Sequence, residues 1–367
     1  MRPVFIVGWA LAVAMLGMSI VSCGEVVTSD TTTTTAVTTT TTTTTPAGST
    51  TSTTTSPTTT SGGATTTTTS ASTTTTQPSY WSSVNSGTSN TLMGGFFLSG
   101  GVYGWLVGDN STILATINGG QSWLDYGNDA GITLTGVCFH NSREGTVVGA
   151  SGYIGITSDG GDSWTNKTQP GISNYFNSVA VDDDSTEIIV GNGGKILVST
   201  DGGVNWADRS ISGGDYKSVK WDGGNFSIVG SGETVLFGTA DASGVYFTRR
   251  VYEQTDQPLV AVAAHPGVGG TSIIIGTNEA WTTFDGWATV VASGEFFWMN
   301  AAGVAFPGNG KAWVVGGTGK IAGWNGSGWV TEESGTTSAL YGVIFPSTQE
   351  GWAFGYQGKL LKYSLTN

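Results

Sequence analysis

Few side chains in this sequence have the types and spacing that chemistry requires. His140 and His265 are the two histidines, and each closes a short apolar stretch in a different part of the chain. Cys138 is the one thiol beyond the N-terminal segment, so no set of ligands at metal-binding spacing emerges and both histidines read as loop caps. Asp182, Asp183 and Asp184 lack the alternating oxygen ligands of a calcium loop and read as a solvated turn. Gly194-Lys195, Gly319-Lys320 and Gly358-Lys359 look like pieces of phosphate loops, but none is followed by Ser or Thr. Arg143, Arg209, Arg249 and Arg250 are the arginines after Arg2, too few for a carboxylate-clamping pocket plus a surface patch. The expectation is therefore a non-enzyme with no catalytic residue, no cofactor and no metal.

Composition narrows the classes further. The 367 residues include 58 Gly and 14 Trp, and only 11% are charged, which points to a Gly-rich, aromatic-rich globular protein. Thirteen Lys and Arg against 26 Asp and Glu give a net charge of -13, so the basic footprint of a nucleic-acid binder is missing. With 38% hydrophobic residues the chain is able to bury a core, and it is neither wholly disordered nor a polytopic membrane protein.

The elements that position any functional residue follow from an internal repeat. An apolar triplet ending in Gly recurs at Gly108, Gly149, Gly191, Gly230, Gly276, Gly316 and Gly355, with spacings of 41, 42, 39, 46, 40 and 39 residues. Seven units of about 40 residues suit four short strands each, arranged radially as an all-β, seven-bladed propeller. Ahead of each triplet lies an apolar stretch with a small residue near its middle, such as Gly136-Val-Cys-Phe139 or Gly342-Val-Ile-Phe345. A small residue there suits an innermost strand crowded by its neighbours. The seventh unit ends after a third strand, and Ser79-Tyr80-Trp81-Ser82-Ser83-Val84 resembles the missing fourth one. The N-terminal strand is thus expected to close the last blade and remove an open edge.

Three units carry a further motif at identical offsets: Thr116, Asn118, Gly120, Trp123; Thr157, Asp159, Gly161, Trp164; and Ser199, Asp201, Gly203, Trp206. It is similar to the Asp-box of bacterial neuraminidase repeats, S/T-x-D-x-G-x-x-W. The expected role is structural, with the Asp or Asn side chain bonding turn amides, Gly supplying positive φ and Trp packing between sheets. Together with Gly104-Trp105-Leu106-Val107-Gly108 and Gly351-Trp352-Ala353-Phe354-Gly355, these boxes resemble the photosystem II stability and assembly factor-like propellers of the BNR/Asp-box superfamily. That resemblance implies a non-enzymatic assembly factor that binds a protein. The F/Y-R-I-P signature of the sialidase branch is absent, which leaves glycoside hydrolysis the least supported alternative.

Residues 1–22 carry one cation, Arg2, and a continuous apolar run ahead of Val21-Ser22-Cys23-Gly24. The tetrapeptide resembles a bacterial lipobox, which implies cleavage before Cys23 and lipidation of its sulfur. Residues 23–77 are dominated by Thr with Ser, Pro and Gly, and read as a disordered stalk. Such a stalk spans about 40 Å as a coil and up to about 160 Å extended. The propeller is assigned to residues 78–367. The whole reads as an exported, membrane-anchored lipoprotein whose monomeric propeller binds an envelope protein or, alternatively, a glycan. The candidate binding face comprises Arg249, Arg250 and Tyr252 at one irregular blade crossing and Phe296, Phe297 and Trp298 at the next; inter-blade core is the alternative for these aromatics. Tyr175, Tyr216 and Tyr341 stand at comparable places and share the alternative.

Overall fold

The computed structural model describes residues 80–365 apart from 128–129, 183–184, 232–233, 242–243, 252–256, 266–269, 286–288, 296–298 and 309. Cys23, the segment 1–22 and the Thr-rich stalk lie outside the described residues. The rest is a seven-bladed all-β propeller of seven four-stranded sheets. The inner strands of blades 1 to 7 are Leu92–Phe97, Leu134–Phe139, Phe176–Val181, Tyr216–Trp221, Leu259–Ala264, Ala301–Gly308 and Leu340–Ile344. Each is followed by a second strand that ends at a triplet Gly and is buried along its apolar run, as in Gly104–Gly108 and Glu187–Gly191.

The reason for that burial is that each sheet is covered on both faces by its neighbours. The buried apolar residues separate into seven clusters, each spanning one junction between adjacent blades, including that between blades 7 and 1. Closure comes from the N-terminal strand Trp81–Val84, which pairs antiparallel with Leu360–Ser364 so that Trp81 faces Tyr363 and Val84 faces Leu360. Trp81 is 4% exposed and packs edge-on to Phe345 at 6.0 Å. Its indole Nε1 donates to Glu332 Oε2 of blade 6 at 2.7 Å, and Trp313 Nε1 donates to the same carboxylate. Burial raises the Glu332 pKa, with the two indole donors opposing the shift.

The Asp-box turns cap one end of blades 1 to 3. Thr157 Oγ1 donates to Asp159 Oδ1 at 2.7 Å and accepts the Gly161 amide at 3.0 Å, while Asp159 also accepts the Ser163 amide at 2.9 Å. The same three bonds recur at Thr116, Asn118 and Gly120 and at Ser199, Asp201 and Gly203. Gly161 has φ +105, a conformation that side chains resist, and is buried. Trp123, Trp164 and Trp206 are half-buried against the blade clusters. Blade 5 keeps the Thr283 and Asp285 part of the turn. Blade 4 departs from the pattern. Lacking the Gly and Trp of the box, its third and fourth strands run on as an eight-residue hairpin, Thr234–Asp241 against Gly244–Val251.

Two outcomes test this account. Replacing Trp81 removes a buried aromatic and one donor to Glu332, so Trp81→Ala should cost about 3–5 kcal/mol in denaturant unfolding. The exposed Ser82→Ala on the same strand should be near neutral. The Asp159 pKa is lowered from 3.8 to about 2, chiefly by the Ser163 hydroxyl and amide. A lowered native pKa gives stability that is fully present above 3.8 and lost as the pH falls through about 2. The advantage in melting temperature of wild type over Asp159→Asn should therefore be larger at pH 5 than at pH 2.

Candidate functional site

The axis of the propeller opens at the triplet-Gly end as a funnel of about 640 Å³. Its wall is set by one irregularity repeated seven times. In every inner strand the register slips between the first and third residues, so the second residue is a bulge. A bulge turns its side chain away from the pleat's normal alternation. The seven bulged residues are Met93, Thr135, Asn177, Lys217, Val260, Ala302 and Tyr341, and all seven line the funnel and are half-buried. The third residues, Gly94, Gly136, Ser178, Ser218, Ala261, Gly303 and Gly342, line a narrower throat of about 140 Å³ below it. Their small size is steric: a Cβ on Gly94 would stand 2.5 Å from the Thr135 carbonyl oxygen.

Loops around the funnel hold one another. The residue after each of six triplet glycines donates its amide to a carbonyl of the strand crossing in from the preceding blade, as in Asp109 to Thr91 at 2.9 Å and Tyr356 to Ala339 at 2.9 Å. The crossing carbonyl lies so close that a Cβ on Gly355 would fall 2.1 Å from Ala339 O. Close approach, and not an unusual φ, explains the Gly of the repeat in six blades; at Gly276 of blade 5 the nearest atoms would be 3.5 Å away.

Side-chain bonds extend this clamp in blades 3 and 4. Asn177 Nδ2 donates to Asn192 Oδ1 at 2.8 Å and to Tyr216 O at 2.6 Å. Lys217 Nζ reaches Asn192 Oδ1 at 3.2 Å and Asp215 Oδ2 at 3.1 Å. The Gly193 amide donates to Asp215 Oδ1, and this bond leads the forces that lower the Asp215 pKa. On the rim, burial raises the Tyr175 pKa, helped by the charge of Asp109. The funnel thus has a polar side, Thr135, Asn177 and Lys217 of blades 2 to 4. Its other side is Val260, Ala302, Tyr341 and Met93 of blades 5, 6, 7 and 1.

The residues expected from sequence distribute unevenly over this frame. Tyr175 and Tyr341 line the funnel, whereas Tyr216 is 3% exposed in the core between blades 3 and 4 and its hydroxyl donates to Ile211 O. For Tyr216 the core alternative holds. Arg249 and Arg250 stand on the outer strand of blade 4, opposite Leu236 and Val235, ahead of the crossing. Tyr252, Phe296, Phe297 and Trp298 lie outside the described residues. The twelve Asp-box residues are at the other end of the blades, with their polar atoms engaged in their own turns. His140 is more than a loop cap: its Nε2 lies 2.5 Å from Oε1 of the fully buried Glu187, tying blade 2 to blade 3. Sequence reasoning missed the bulged ring. The signal was the second column of the aligned inner strands, which no shared residue type marks.

Residues 73–169, which contain the closing strand and blades 1 and 2, match the family model of the Photosynthesis system II assembly factor YCF48. No curated protein matches the chain in sequence. Among solved structures, YCF48 bound to D1 peptide is similar with a TM-score of 0.64 and 21% identity, over 78% of this chain and 98% of that one. YCF48 from Cyanidioschyzon merolae gives 0.63 and 22%, over 78% and 99%. A streptogramin B lyase gives 0.66 at 11% identity, over 77% and 96%, so the same fold also serves an enzyme. The chain is thus a seven-bladed propeller whose first two blades are similar in sequence to the YCF48 assembly factors.

Proposed function

We propose that this protein is a non-enzymatic scaffold that binds a protein partner at the funnel, held at the cell envelope by a lipid on Cys23. The observation that carries the reading is the ring of bulged residues in the funnel, polar over blades 2 to 4 and apolar or aromatic over the rest, on loops that bond one another. A rim fixed in advance spares the ordering cost of association, and its two sides suit a peptide segment with one polar and one apolar face. The sequence match of residues 73–169 to an assembly factor family supports a protein as the ligand, as does the D1 peptide held by one structural relative. The apolar run, Val21-Ser22-Cys23-Gly24 and the Thr-rich tract support export, anchoring and a spacer that lifts the propeller off the membrane.

The test is a pull-down from native envelope extract with the full chain. Wild type should retain a stoichiometric protein, and Tyr175→Ala with Tyr341→Ala should lose roughly tenfold or more in retention, as expected for aromatic anchors at an interface centre. Equal retention by that double variant places the contact elsewhere, and an Arg249→Ala, Arg250→Ala variant run in parallel reports whether the outer strand of blade 4 is the contact. Retention of polysaccharide in place of protein favours a glycan-binding role. In a separate fractionation, Cys23→Ala should move the chain from the membrane to the soluble fraction; persistence in the membrane removes the lipid-anchor reading.

A further inference from the structure

The axis has a second mouth, at the Asp-box end, with a volume of about 200 Å³. Its wall is apolar, with Phe97, Phe306, Phe345, Pro307 and Pro346 among its residues, and one charged side chain, Lys220, joins it. Lys220 lines the throat as well, so it stands where the two cavities meet. It is the fifth residue of blade 4's inner strand, a place held in the other six blades by Phe96, Cys138, Ala180, Ala263, Ala305 and Ile344.

No hydrogen bond or salt bridge engages the Lys220 side chain among the described residues. Burial lowers its pKa, and Cys138 opposes that shift. That thiol gives little help, because its own burial, with Glu187 second, raises its pKa well above the usual value. Lys220 is half-buried, and an ammonium drawn partly out of water without a partner is costly, so folded proteins ordinarily pair such groups. A half-buried cation that no described side chain pairs, opening into a cavity, has the signature of a ligand site.

We propose that the second mouth binds a small monocarboxylate with an apolar body, its carboxylate on Lys220 Nζ and its body against Phe97, Phe306 and Phe345. The single cation matches one negative charge, whereas a phosphate-like anion calls for several converging donors. The apolar wall supplies affinity that a bare inorganic anion cannot use. This site lies at the other end of the axis from the funnel and stands or falls independently of the partner-binding reading.

Calorimetric titration of the full chain with benzoate tests it, with benzyl alcohol and inorganic phosphate as the uncharged and purely ionic comparisons. Benzoate should bind once per chain, and both comparisons should bind at least tenfold more weakly. Lys220→Met should lower benzoate affinity at least tenfold while folding remains intact, since removing an unpaired, half-buried charge is neutral or stabilising. Ala264→Phe, which keeps the cation and narrows the mouth, should weaken benzoate as well. In the unaltered chain, benzoate should shield Lys220 from amine acylation, read by peptide mass spectrometry. Absence of benzoate binding at millimolar concentration, equal binding by Lys220→Met, unchanged acylation, or phosphate binding as tight as benzoate each overturns the proposal.

Discussion

Seven strands must converge on one axis, and the contact of backbone with backbone at that axis is the constraint on which the rest of this molecule depends. A Cβ on Gly303 would lie 2.9 Å from Gly342 Cα in the next blade, and the Gly94 position is tighter still. Only Gly, Ala and Ser therefore occupy the third place of the inner strands. Where Ser stands there it bonds across the gap: Ser178 Oγ accepts the Val219 amide at 3.3 Å and Ser218 Oγ accepts the Val262 amide at 3.4 Å. The bulge just before this place turns the second residue into the funnel. The ring of side chains that lines the funnel is thus a by-product of the packing that closes the axis.

Closure covers every blade on both faces. Each blade is covered by two junctions, and the seven clusters leave no sheet face without a neighbour. Charge has little part in this. The four ion pairs found among the described residues include one fully buried carboxylate, Glu187, and three pairs with a carboxylate that is about half exposed, which are worth about 1 kcal/mol or less each. A chain with 11% charged residues is consistent with stability carried by apolar junctions and by turns that satisfy their own amides.

Much of the fold was legible because packing rules repeat with the blades. The triplet Gly, the small third residue and the Asp-box each answer a steric or hydrogen-bonding need that recurs about every 40 residues, so they leave a periodic mark. Closure by Trp81–Val84 was legible for the same reason, as a fourth strand missing at one end and present at the other. The site was less legible. Met93, Thr135, Asn177, Lys217, Val260, Ala302 and Tyr341 share a backbone irregularity and no side-chain property, and a bulge has no residue signature of its own. Tyr216 and Tyr341 show how fine the distinction is. They are the first and second residues of their inner strands, and one step in register sends Tyr216 into the core and Tyr341 into the funnel.

Blade 4 departs from the other six blades in both its turn and its axis-lining residues. It lacks the Asp-box turn, extends its outer hairpin to eight-residue strands, and places a lysine at each level of the axis. Lys217 at the funnel is held by Asp215 and Asn192, which fixes its position and offsets its charge. Lys220 in the throat has a neutral strand environment and no such restraint. Two cations three residues apart on one strand, one paired and one not, are not required by propeller packing, since the six other blades close the axis without any lysine at either place. Positions that packing leaves free are where repeats diverge without loss of fold. The two lysines of blade 4 thus occupy places that closure of the axis leaves free to vary.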